Sequence, residues 1–121
     1  MHARIHHVQI AIPAGSEARA RAFYVGLLGL TEIPKPPTLA ARGGLWLDLG
    51  GSELHLGVEA GFRPSGKAHP AFEVEDLDAV RRKLTEGWIP LEDDDLLPER
   101  PRFYAHDPFG NRLEFLGRQG A

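Results

Sequence analysis

The chain has 121 residues, 14 Lys and Arg against 17 Asp and Glu, a formal net charge of −3 and no cysteine. That length fits one domain, able to bury about two-thirds of its unfolded surface without staples. The lack of cysteine excludes disulfides, thiolate catalysis and cysteine zinc sites, so any metal must be held by His, Asp, Glu or water, and the charge balance offers no basic field for nucleic acid.

The first residues alternate in polarity instead of forming a charged start and an apolar run, and nowhere do roughly 18 apolar residues stand together. We therefore expect a cytoplasmic protein with no membrane partner. From Arg4 to Ile12, the residues Val8, Ile10 and Ile12 alternate with His7, Gln9 and Ala11, which predicts a strand buried on one face. A helix should follow, capped by Ser16, favoured by Glu17 in its first turn and ended by Gly29, with Ala18, Ala22, Phe23, Leu27 and Leu28 at helical spacing. A short strand is expected over Thr31–Ile33. Pro34, Pro36 and Pro37 then predict a loop, since proline can neither continue a helix nor sit in a central strand. Strands Gly44–Leu49 and Glu53–Val58, joined by Gly50, Gly51 and Ser52, complete an order βαβββ. Residues 59–67, rich in Gly, Pro and Ser, read as a linker.

The order then repeats. A strand Ala68–Val74, a helix Leu77–Glu86 ended by Gly87 and a short strand Trp88–Leu91 precede an acidic stretch, Glu92 to Asp95 with Pro98 and Pro101, that predicts a solvated loop. Two strands, Arg102–His106 and Arg112–Leu116, flank the turn Asp107-Pro108-Phe109-Gly110-Asn111. A shift of 59 lays Asp48 on Asp107, Gly51 on Gly110 and His55 on Glu114, while the first strands align with a shift of 62, which lays His7 on His69. The expected fold is thus α+β, one domain over 1–121, with repeat one at 4–58 and repeat two at 68–117, their strands forming a curved mixed sheet around a cavity.

Alternation puts the apolar side chains of these strands toward the helices and His7, Gln9, Glu53, His55, His69, Glu73, Arg112 and Glu114 on the opposite face. Four equivalent positions, in the first and last strands of each repeat, hold His7, His55, His69 and Glu114. Imidazoles and a carboxylate suit one divalent ion such as Zn²⁺, Ni²⁺, Fe²⁺ or Mn²⁺, so His7, His69 and Glu114 are the expected ligands and His55 a fourth ligand or a substrate contact. Alternation turns His6 away from this face, and His2 lies in the terminus.

These residues resemble the vicinal oxygen chelate superfamily, the glyoxalase, bleomycin-resistance and extradiol-dioxygenase group. The resemblance rests on Ile5-His6-His7-Val8-Gln9-Ile10-Ala11-Ile12, on Phe23-Tyr24-Val25-Gly26-Leu27-Leu28-Gly29-Leu30, on the run from His69 to Asp78 and on the run from Phe103 to Glu114. It implies paired βαβββ units, a homodimer and a metal held by first- and last-strand residues, which correspond to His7, His69 and Glu114. His55 stands where glyoxalase I enzymes place a glutamate, a departure that counts against a glyoxalase I assignment.

The family's shared step, chelation of two neighbouring oxygens of a small-molecule substrate, serves lyases, isomerases, thiol transferases and dioxygenases alike. Glu73 and Glu53 are the candidate bases, and Gln9, His55, Arg63, Lys67 and His106 the candidate substrate contacts. The rival expectation is a metal-free module that binds or sequesters a small molecule, as antibiotic-binding members of the family do.

Overall fold

The computed structural model describes residues 1–96 and 99–118, so Pro98 of the expected acidic loop lies outside the described residues. Two compact units divide the chain, Met1–Arg63 and Pro64–Ala121, and their boundary falls within the stretch read as a linker. Each unit is a βαβββ-like repeat carrying one four-stranded mixed sheet.

In the first unit the sheet order is β1-β4-β3-β2, with β1 His7–Ile12 parallel to β4 Glu53–Val58 and the antiparallel strands β3 Leu45–Asp48 and β2 Thr31–Ile33 beyond it. Ile12, Leu45, Leu47, Leu54 and Leu56 meet Ala20, Phe23 and Tyr24 in the core, all at most 4 % exposed. Each fully buried leucine or aromatic contributes about 1.5–3 kcal/mol by leaving water. The alternation expected of β1 holds only toward its end. Ile12 is fully buried, but Val8 is 38 % exposed, because β1 is an edge strand of its sheet.

The helix after β1 departs from expectation in two ways. Ser16 does not cap it, since its Oγ donates to the Pro13 carbonyl at 2.6 Å. The helix α1, Glu17–Arg21, then widens into a π-helical turn over Ala22–Leu27, the local answer to one residue too many for the α ladder. The proline-rich stretch is also not all loop. Pro37 opens a single turn, α2 Pro37–Ala40, where its fixed φ suits a first helical position and its missing N–H is not needed.

Gly43 and Gly44 follow with φ of 73° and 82°, and a Cβ on Gly44 would run into the Leu56 carbonyl oxygen. Glu17 fastens this glycine pair, its Oε2 accepting the Gly44 N–H at 3.1 Å, while Lys35 donates to the Gly43 carbonyl. The backbone N–H of Gly44 is the main reason the Glu17 carboxyl is held below its ordinary value of 4.5.

The second unit has the order β5-β8-β7-β6, with β5 Ala71–Val74 parallel to β8 Arg112–Gly117 and β7 Arg102–His106 antiparallel to β8. Its helix α3, Leu77–Glu86, is capped by Asp76, whose carboxylate accepts from Ala79 N at 3.0 Å, and packs Leu84 into a core with Phe103, Leu113 and Phe115. Gly87 ends the helix as expected, yet the left-handed residue is Trp88, at φ 62° and 91 % exposed. Trp88–Leu91 is not a strand, and β6 is Glu92–Asp93, inside the acidic run. That run is less solvated than its composition implies: Asp93 pairs with Arg81 at 2.8 Å and Asp94 with Arg102 at 3.0 Å.

Strand registers refine the internal alignment. Gln9 faces His55 and Ala71 faces Glu114, in keeping with the shifts of 62 and 59. Across the hairpins, however, Trp46 faces His55 whereas Tyr104 faces Glu114, so β3 maps onto β7 with one residue less. The longer turn at Asp107 absorbs the difference, its carboxylate accepting from Phe109 N at 2.9 Å and Asn111 N at 2.8 Å. No helix among the described residues is long and apolar enough to cross a membrane.

Candidate metal and ligand site

In the second unit the parallel pairing of β5 with β8 brings His69, just before β5, beside Glu114. Its Nε2 lies 2.8 Å from Glu114 Oε1, and its Nδ1 donates to the Lys67 carbonyl at 2.9 Å. Both partners are acceptors. With Nδ1–H on the carbonyl, the neutral ring turns its Nε2 lone pair toward Glu114, so this contact needs a proton shared between the two groups or another cation between them. A carbonyl that fixes Nδ1–H and aims Nε2 at a carboxylate is the outer-shell arrangement that metal-binding histidines use. His69 and Glu114 therefore form a pair of donors of the kind a divalent ion takes. Lys67 takes part through its backbone, and its side chain is exposed.

Glu114 is only 6 % exposed, and its second oxygen is also engaged: Arg102 Nη1 donates to Oε2 at 3.3 Å. Burial works against the charge of Arg102, yet Asp94, Tyr104 and Glu114 outweigh it and hold the guanidinium above its ordinary value. Tyr104 forms the neighbouring wall, edge-on to His69 at 5.5 Å and with the Arg112 guanidinium 3.9 Å over its ring. Glu73, expected as a base, is half exposed and ion-paired with Arg100, and His106 is exposed at the end of β7.

In the first unit three rings stand in parallel across adjacent strands. Trp46 of β3 stacks on His55 of β4 at 4.3 Å, and His55 stacks on His7 of β1 at 4.2 Å. Glu53 accepts from His55 Nε2 at 2.9 Å. His55 is thus clamped on both faces and at one edge, with 5 % exposure, which makes it a buttress for His7 more than an open ligand. His7 Nδ1 lies 3.0 Å from His6 Nδ1, and His7 Nε2 makes no hydrogen bond among the described residues.

These rings border a pocket of about 550 Å³ whose other lining includes Gln9, Lys35, Leu39 and Arg42. Gln9 lies over Gly57, where a Cβ would come within 2.7 Å of its Nε2, so the missing side chain of Gly57 makes room for the amide. Arg42 is exposed and has no side-chain partner among the described residues. His6 lines this pocket too, contrary to the alternation argument, because β1 begins only at His7 and no strand geometry governs His6. Arg63 is exposed and lines no part of it. Among the described residues, no three or more His, Asp or Glu stand together as a metal-holding cluster.

Sequence reasoning missed Trp46, Lys35, Arg42 and Arg102. Trp46 could have been found from its place directly opposite His55; Lys35 and Arg42 come to the pocket from outside the strands, and Arg102 reaches its partners across strands.

Residues 4–115 match the model of the Glyoxalase/Bleomycin resistance protein/Dioxygenase superfamily. The chain belongs to this superfamily. A solved structure of a glyoxalase family protein from Bacillus anthracis is 46 % identical over 98 % of both chains, with a TM-score of 0.94. The fold is also shared with a lactoylglutathione lyase from Agrobacterium tumefaciens, 21 % identical over 91 % of each chain at a TM-score of 0.67. TnmS3, an antibiotic binding protein from Streptomyces sp. CB03234, is 20 % identical over 97 % of each chain at a TM-score of 0.70. No curated protein matches the chain. The fold is thus shared by an enzyme and a binding protein, and the side chains have to carry the choice.

Proposed function

We propose that this glyoxalase-superfamily protein is a divalent-metal-dependent enzyme acting on a small molecule with two neighbouring oxygens, the ion held by His7, His69 and Glu114. The observation that supports it most is His69, whose Nδ1 is fixed by the Lys67 carbonyl while Nε2 faces Glu114. A bound divalent ion supplies a Lewis acid that polarises the chelated oxygens. Glu53 is the base: His55 occupies its Oε1, and Oε2 is left to take a proton from a substrate in the pocket. The Trp46–His55–His7 stack holds His7 in one orientation, and Gln9 and Arg42 offer an amide and a cation to polar substrate groups.

Metal analysis of protein purified without an affinity tag tests the proposal, followed by activity screens on dicarbonyls, catechols and thiol acceptors. One ion per chain is expected, lost in His7→Ala, His69→Ala and Glu114→Ala individually. Retention of the ion with unchanged affinity in the last two would refute the ligand assignment. The 550 Å³ pocket with its Trp46 wall also favours a second reading, a metal-free binding protein for a flat small molecule; tight binding by chelator-treated protein with no turnover would support it.

A further inference from the structure

Glu114 divides its two oxygens between different partners. Oε1 faces His69 Nε2 at 2.8 Å and Oε2 meets Arg102 Nη1 at 3.3 Å. The same guanidinium reaches Asp94 Oδ2 with Nη2 at 3.0 Å, and both of these side chains are 18 % exposed. Charge-assisted N–H···O bonds usually measure about 2.7–2.9 Å, so the Asp94 arm is the firmer hold and the Glu114 arm the looser one. The planar fork fixes both arms together in a way a lysine cannot. The third nitrogen, Nε, is buried with no partner, so the side chain keeps this position at the cost of a polar atom left unsatisfied.

We infer that Arg102 is a positioning residue for Glu114: it occupies Oε2, leaves Oε1 facing His69 and offsets the charge of the carboxylate, and so sets which ion the site would prefer. The inference rests on the metal-site reading above. Anchored by Asp94, Arg102 leaves Glu114 enough freedom to bind an ion without leaving the carboxylate unrestrained. Without Arg102, both oxygens become available and the site gains one unit of negative charge, a change that favours oxygen-preferring Mn²⁺ more than Zn²⁺. Without the carboxylate of Asp94, the guanidinium is free to close on Glu114 and compete with the ion.

Competitive titration of Mn²⁺ and Zn²⁺ into the full chain, with melting measured alongside, tests this. Changes in such outer-shell partners shift metal affinity by about 10–100-fold. Arg102→Met should tighten Mn²⁺ binding by about tenfold and narrow the gap to Zn²⁺, while Asp94→Asn should weaken both ions by about tenfold. Arg102→Lys, which keeps the charge and loses the fork, should fall between wild type and Arg102→Met, and it serves if the methionine variant does not fold. Wild-type ion binding with an unaltered ion preference in all folded variants would overturn the role of Arg102 alone, as would weaker Mn²⁺ binding in Arg102→Met. If no protein, wild type included, binds either ion, the metal reading fails and this inference with it.

Discussion

Glu17 joins the start of α1 to the glycine pair ahead of β3 through one bond from Gly44 N, and that bond lowers its carboxyl below 4.5. A carboxyl depressed by folding adds stability that is present above its unfolded value and is lost as pH falls through the folded value. Glu17→Gln should therefore melt below wild type at pH 7, with the difference shrinking below about pH 4.5; circular dichroism melts across pH 3 to 7 read this, and a difference constant down to pH 3 would remove the charge from the explanation. Among site residues, His69 and Glu114 could be paired from sequence because the β5–β8 register, Ala71 opposite Glu114, repeats that of Gln9 opposite His55, and His69 precedes Ala71 as His7 precedes Gln9. Arg102 could not: its contact with Glu114 is diagonal across β7 and β8, and a single extra residue in the Asp107 turn decides whether it faces that carboxylate. His55 was legible as a residue facing the pocket, but its clamping by Trp46 and Glu53 depends on rotamers that alternation does not specify.

Elements with a regular period were readable, and those set by tertiary contact were not. β2, β4 and β7 lie where alternation and turn residues put them, since a buried face allows only one register. The π-helical turn at Ala22–Leu27, which carries the buried Phe23 and Tyr24, has no composition signal. Trp88, not Gly87, takes the left-handed conformation, and a glycine next to a helix end conceals that choice. Gly44 is where an element depends most on one missing side chain. Gly44→Ala adds a left-handed non-glycine residue to a clash with the Leu56 carbonyl, so it should destabilise the protein by about 3 kcal/mol or more, while Gly50→Ala, with open space around its Cβ, should cost only the conformational part, about 1–3 kcal/mol. Equal losses in urea unfolding would show that the Leu56 contact yields without strain.

At the scale of the whole molecule, β1 and β5 each form one edge of their own sheets, and on the first of these Val8 is 38 % exposed and Ile5, just before it, 69 %. Edge strands with apolar neighbours are surfaces that pairing covers. We expect a homodimer, with sedimentation at micromolar concentration giving about twice the 13.3 kDa chain mass and Val8→Lys shifting it toward the monomer; a monomeric wild type would defeat the expectation. The two tryptophans also give the folded protein an uneven optical character. Trp46 lies parallel to an imidazole at 4.3 Å, a partner that can drain its excited state, whereas the Trp88 indole is almost fully in water. Emission should therefore be long-wavelength and come mainly from Trp88, and in a Trp88→Phe background the remaining light should be faint when folded and brighten as the chain unfolds and the ring stack separates.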